Sequence, residues 1–84
     1  MTSLADLAAG QRGFVTDVTG NDSLSLRIME FGILEGESIL LIGRAPLGDP
    51  IEVSVRGAKL SLRKAEAQRV LVKIIDPQRG GSEK

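Results

Sequence analysis

Between Ile51 and Leu62 the chain carries the same alternation twice. Ile51, Val53 and Val55 alternate with Glu52, Ser54 and Arg56, and beyond Gly57, Lys59 and Ser61 alternate with Leu60 and Leu62. A period of two puts successive side chains on opposite faces of a strand, so each run is a half-buried β-strand and Gly57 marks the tight reversal between them. A lone hairpin is marginal in water, so these twelve residues oblige the rest of the chain to supply strands that share the same apolar face.

The neighbours supply them. Phe14, Val15, Thr16 and Val18 make a strand of residues 13–18, broken by Thr19, Gly20, Asn21 and Asp22. Residues 37–44 form another around the aliphatic run Ile39–Ile42, and Val70 to Ile75 form the last, which Pro77 ends. The connection Ala45-Pro46-Leu47-Gly48-Asp49-Pro50 is rigid: Pro46 suits the second position of a β-turn, and Pro50 opens a strand but does not sit inside a central one.

Helical signals are brief. Ser3 caps a turn through Leu4 and Leu7 that Gly10 is placed to end, a lid rather than a long helix. Asp22 or Ser23 caps a two-turn helix whose Leu24, Ile28 and Phe31 lie on one side, and Gly32 terminates it. Arg63 to Arg69 leaves room for one or two further turns. Phe14, Leu24, Ile28, Phe31, Leu41, Val53, Val55, Leu60, Leu62, Val70 and Val72 are expected to face one core.

With 84 residues the chain makes one domain, expected over residues 1–76, followed by a glycine-rich, charged tail at 77–84. Five short strands cannot build two full sheets. The economical solution is a mainly β fold, a small five-stranded SH3-like barrel that closes on itself, with a short helical insertion after the first strand. An OB-like barrel is the alternative, though its strands are usually longer.

Composition narrows the chemistry. There is no cysteine and no histidine, hence no disulfide, no thiol nucleophile, no imidazole base and no soft ligand for zinc or an iron–sulfur cluster. An enzyme would have to work with Asp, Glu, Lys, Arg and Ser in a barrel with little interior, so no catalytic and no cofactor-binding residue is assigned. The acidic side chains are scattered singly apart from Glu35 and Glu37, so no metal site is assigned beyond a weak divalent-cation contact at surface carboxylates. The glycine spacing does not match the phosphate-binding GxxxxGK[ST] loop. No run approaches the ~20 apolar residues of a membrane span and no export signal opens the chain, which predicts a cytoplasmic protein without membrane insertion.

Charge and apolar exposure point instead to surfaces. The formal net charge is zero, yet residues 1–43 carry two basic and six acidic side chains and residues 44–84 nine and five. Arg56, Lys59, Arg63, Lys64 and Arg69 form a basic edge for an acidic partner, or else a merely solvated one. With no Trp or Tyr and only Phe14 and Phe31, neither stacking on nucleic acid nor gripping a proline-rich peptide is expected. Leu26 and Met29 fall off the buried stripe of the helix, making a partner patch unless the Leu4–Leu7 turn covers them. Pro46, Leu47 and Asp49 on the rigid connection complete the candidate partner-binding set, and self-association stays open.

These residues, in this order, resemble the FeoA family, ferrous iron transport protein A, and the similar domain appended to some iron-dependent repressors. The resemblance runs from about Leu4 to Ile75. Its most specific piece is Arg44-Ala45-Pro46-Leu47-Gly48-Asp49-Pro50-Ile51, similar to the family's proline-bounded hairpin; Leu4, Leu7 and Gly10, then Phe31-Gly32-Ile33 with Gly36, then Leu60-Ser61-Leu62-Arg63-Lys64 before Glu66-Ala67 surround it. The family more often has leucine at the place of Phe31. The resemblance implies an SH3-like barrel and a cytosolic accessory role in ferrous iron uptake, through contact with FeoB, a membrane permease with a cytosolic guanine-nucleotide-binding domain. The alternative it carries is a metal-responsive regulatory domain like the C-terminal domain of iron-dependent repressors.

Overall fold

The alternating residues form the hairpin they predict. In the computed structural model, which describes residues 2–20 and 22–75, β3 (Ile51–Val55) and β4 (Ala58–Leu62) pair from Ile51↔Leu62 to Val55↔Ala58. Arg56 and Gly57, the two loop residues, both have positive φ, 54° and 84°. A loop of that hand matches the right-handed twist of the strands it joins.

The remaining strands extend this hairpin into one antiparallel sheet. β2 (Ser38–Arg44) lies beside β3, β1 (Arg12–Val18) beside β2, and β5 (Val70–Ile75) beside β1, giving the order β4-β3-β2-β1-β5. Register breaks between Val15 and Asp17 in β1, and between Leu41 and Gly43 in β2, add the local bend that curls so short a sheet around a core. Gly13 lets β5 come close, since a Cβ there would stand 3.0 Å from the Val72 Cβ. In the connection, the Gly48 N–H donates to the Ala45 carbonyl at 2.7 Å, placing Pro46 second in the turn as its fixed φ requires.

After β1 comes the helical insertion, α1 (Ser23–Glu30). Asp22 caps it, its carboxylate accepting from the Ser25 N–H at 3.3 Å, and Gly32 at φ 92° ends it in the left-handed conformation. A second helical turn, α2 (Lys64–Ala67), stands between β4 and β5. Glu66 is buried there, and one carboxylate oxygen accepts the Arg63 N–H at 2.8 Å.

The core gathers Ile28 with Leu41, Val53, Val55, Leu62, Val70 and Val72, and Leu24, Phe31 and Leu60 pack half-buried against it. Phe14 differs. It is 44% exposed while its neighbour Val15 is 1% exposed, because the inward parity of β1 runs through Gly13 and Val15. Phe14, Val15 and Thr16 are all strand formers, so no alternation marks which of them turns inward, and an aromatic is not obliged to.

Two further expectations change. The N-terminal segment is a 3-10 turn over Leu4–Asp6 that ends at Leu7, not at Gly10. Gly10, at φ 89°, serves the next turn, where the Gln11 N–H donates to the Ala8 carbonyl at 2.9 Å. Leu4 and Leu7 are fully buried in the main core, so this turn is a plug rather than a lid. The Arg44 guanidinium ties it down by donating to the carbonyls of Ala5 and Leu7. Nor is the barrel closed by hydrogen bonds among the described residues: β4 and β5 are the two ends of the strand order, and α2 joins them along the chain. The expected tail at 77–84 lies outside the described residues.

Candidate functional site

The candidate residues lie on α1, on the 45–50 connection and around β4. α1 packs beside α2, where the Arg27 guanidinium stands 3.9 Å from the Glu66 carboxylate. The start of α2 is tied in turn to the 45–50 connection through Asp49.

On α1, Leu26 is 60% and Met29 36% exposed. They sit three residues apart, on one face of the helix, while Ser25 and Ile28 are buried on the other. Ser25 tolerates burial because its hydroxyl donates to the Asp22 carbonyl at 2.8 Å. The Leu4–Leu7 turn does not cover the Leu26–Met29 face, since its own leucines are spent in the core. Beside it the Arg27 guanidinium stands 5.8 Å from the Phe31 ring centroid.

At the far end of β2, Leu47 is 95% exposed at the tip of the connection. Asp49 is not free in the same way: its carboxylate accepts the Lys64 backbone N–H at 2.9 Å and so ties the connection to the start of α2. Below that tie a shallow concavity of about 300 Å³ is lined by Gly43, Arg44, Ala45, Pro50, Glu52 and Ser61.

The basic residues string out along β4 instead of clustering. Arg56 sits in the loop before it, 3.6 Å from Glu37; Lys59 is exposed on it; Arg63 and Lys64 follow it at the other end. Arg69 is drawn away altogether. Its guanidinium grips Asp22 through two parallel bonds, Nη1 to Oδ1 at 2.9 Å and Nη2 to Oδ2 at 3.0 Å. That fork, with the Ser25 N–H, holds the Asp22 carboxyl down at about 2, and the bond to Asp22 pushes the Arg69 guanidinium up.

Sequence reasoning did not find Leu34 or Ile74, which expose apolar surface along with Phe14. Leu34 follows Gly32 in a turn where no periodicity assigns a face, and Ile74 has the inward parity of Val70 and Val72, which predicts burial, yet it is exposed near the end of β5. Among the described residues, no group of three or more Asp or Glu side chains is placed to hold a metal ion, and no helix is long and apolar enough to cross a membrane.

The sequence profile of the FeoA domain matches residues 2–74, almost the whole chain. This chain belongs to the FeoA family. A curated relative, the Fe(2+) transport protein A/Fe(2+) transporter FeoB fusion protein of Porphyromonas gingivalis, is 31% identical over 72 residues; the match takes in 86% of this chain but spans only 8% of that relative's length. Among solved structures, a FeoA-like protein of Clostridium acetobutylicum superposes with a TM-score of 0.84 at 35% identity, covering 90% of this chain and 92% of that one. The FeoA of Stenotrophomonas maltophilia, described as a prokaryotic SH3 domain protein and solved with zinc, follows at 30% identity and a TM-score of 0.72, over 87% and 91% of the two chains. The curled five-stranded sheet with its helical insertion is therefore SH3-like, and the family is one associated with ferrous iron transport.

Proposed function

We propose that this chain is a cytosolic accessory module of ferrous iron uptake, with no catalytic step of its own, which acts by docking reversibly on the FeoB permease and its GTP-binding domain. The observation that carries this reading is the fusion relative, in which a segment 31% identical to this chain is part of one polypeptide with a ferrous iron transporter. Joining two proteins in one chain raises their effective concentration to a millimolar scale, a gain only for partners that meet. The surfaces found on this chain suit such a partner: an apolar helix face at Leu26 and Met29, a projecting Leu47, and basic side chains along β4. A module that comes and goes needs only a modest interface of about 1,200 Å² or less.

The deciding experiment is removal of the chain from cells that carry the permease. Uptake of radioactive Fe²⁺ under anaerobic conditions is expected to fall several-fold and to return when the intact chain is restored. Unchanged uptake in the deleted cells would refute the reading.

A further inference from the structure

The two edges of the sheet are treated unequally. Along β5 the N-terminal residues cover the edge: the Val72 N–H donates to the Thr2 carbonyl at 2.9 Å, and Ser3 pairs with Leu71. Along β4 nothing among the described residues does so; it pairs with β3 alone and ends the strand order. Hairpin geometry fixes which of its backbone groups are left over. Across a two-residue loop the closing pair, here Val55↔Ala58, exchanges both hydrogen bonds, so Ala58, Leu60 and Leu62 turn their N–H and C=O groups toward β3. Lys59 and Ser61 must turn theirs outward. The following residues keep that parity, the Lys64 N–H reaching back to Asp49 and the Arg63 N–H turning away to Glu66.

This edge also has a definite charge. From Arg56 to Ala65 the sequence holds Arg56, Lys59, Arg63 and Lys64 and no acidic residue. A lysine on a short edge strand discourages indiscriminate pairing, and it discriminates in favour of a strand that brings carboxylates. A second copy of β4 would set Lys59 and Arg63 against their own kind, which disfavours edge-to-edge self-pairing.

We infer that the outer edge of β4 takes up an extended acidic segment of another protein as a sixth strand. The backbone groups of Lys59 and Ser61 supply the ladder, and the basic side chains along the edge select the charge. The proposal concerns how a partner is held, and it stands whether or not that partner is the permease.

The test is a titration of the isotope-labelled full chain with a blocked hexapeptide alternating glutamate and valine, followed by amide NMR and hydrogen exchange. Binding is expected to protect the Lys59 and Ser61 amides and shift their neighbours, and to weaken several-fold between 50 and about 300 mM salt. Lys59→Glu, a change on an exposed side chain, is expected to weaken it roughly tenfold, and the same peptide with lysine in place of glutamate is expected not to bind. The inference is overturned by any of four results: no binding at millimolar peptide, binding that protects neither amide, perturbations centred on Leu26 and Met29, or protection of β4 that rises with protein concentration in the absence of peptide. The last would make a second copy the occupant.

Discussion

Asp22 does two things with one carboxylate: it caps α1 through the Ser25 N–H and it receives the Arg69 fork. Both favour the charged form, which is why its carboxyl lies at about 2, below an ordinary value of 3.8. Because the folded value is the lower one, the unfolded chain binds this proton more readily, and the stabilisation is fully present above pH 3.8. It is lost as pH falls through about 2. Asp22→Asn keeps a side-chain cap but gives up the charge, so the expected result is that the stability difference between the native chain and the variant shrinks progressively from pH 4 to pH 2 in urea titrations, and a difference independent of pH would show that the pair adds nothing. The cap was legible in the sequence, since Asp, Ser and a helical stripe stand in order. The fork was not, because Asp22 and Arg69 are 47 residues apart and nothing local couples them. Phe14 teaches the same lesson in reverse: a strand-forming run fixes the strand, but which residues face inward was set by the close approach of β1 and β5 at Gly13.

At the scale of elements, the alternating hairpin and the capped helix α1 are legible almost residue for residue, because alternation, caps and left-handed glycines are local signals that tertiary packing here does not override. The role of the N-terminal turn is not legible because it is not local: Leu4 and Leu7 give no pattern of their own, and only packing against the rest of the chain makes them core. The hairpin loop offers a direct test of the local argument. A two-residue loop with both residues left-handed favours Asn-Gly, whereas this chain has arginine at φ 54°. Arg56→Asn relieves that strain and sacrifices only an exposed ion pair at 3.6 Å to Glu37, which is worth little. The variant is expected to gain about 0.5–1 kcal/mol in denaturant unfolding. A loss instead of a gain would mean that the Arg56 side chain, not the turn, sets the stability of the hairpin.

For the whole molecule, the five strands were legible in the sequence but the way they meet was not. That β5 returns to lie along β1 depends on a pairing between strands more than fifty residues apart in the chain, and that β4 and β5 end the strand order without pairing has no local signal. α1 packs beside α2, but the candidate side chains are exposed on different elements and so can be changed one group at a time. Leu26 and Met29 ride on a helix outside the sheet, whereas Arg63 and Lys64 follow β4, and neither pair supports the core through its exposed side chains. Met29→Asp puts a charge in the middle of the apolar helix face, where desolvation at an interface penalises it, and touches the core little because the side chain already meets solvent. Arg63→Glu with Lys64→Glu reverses two charges while leaving the backbone bonds to Glu66 and Asp49 in place. Both variants are expected to keep the strand-rich circular dichroism and the cooperative unfolding of the parent. If the helix face carries the apolar part of docking and the β4 side its charge, Met29→Asp lowers capture of the permease at every ionic strength. The double reversal lowers it chiefly at low salt, since charges at a solvated rim are screened beyond about 10 Å at 0.1 M. Each is expected to reduce Fe²⁺ uptake in cells in proportion to its effect on capture. Two folded variants that capture the permease and restore uptake as the parent does would place the docking surface elsewhere on the molecule, with the exposed Leu47 at the far end of β2 next to be tested.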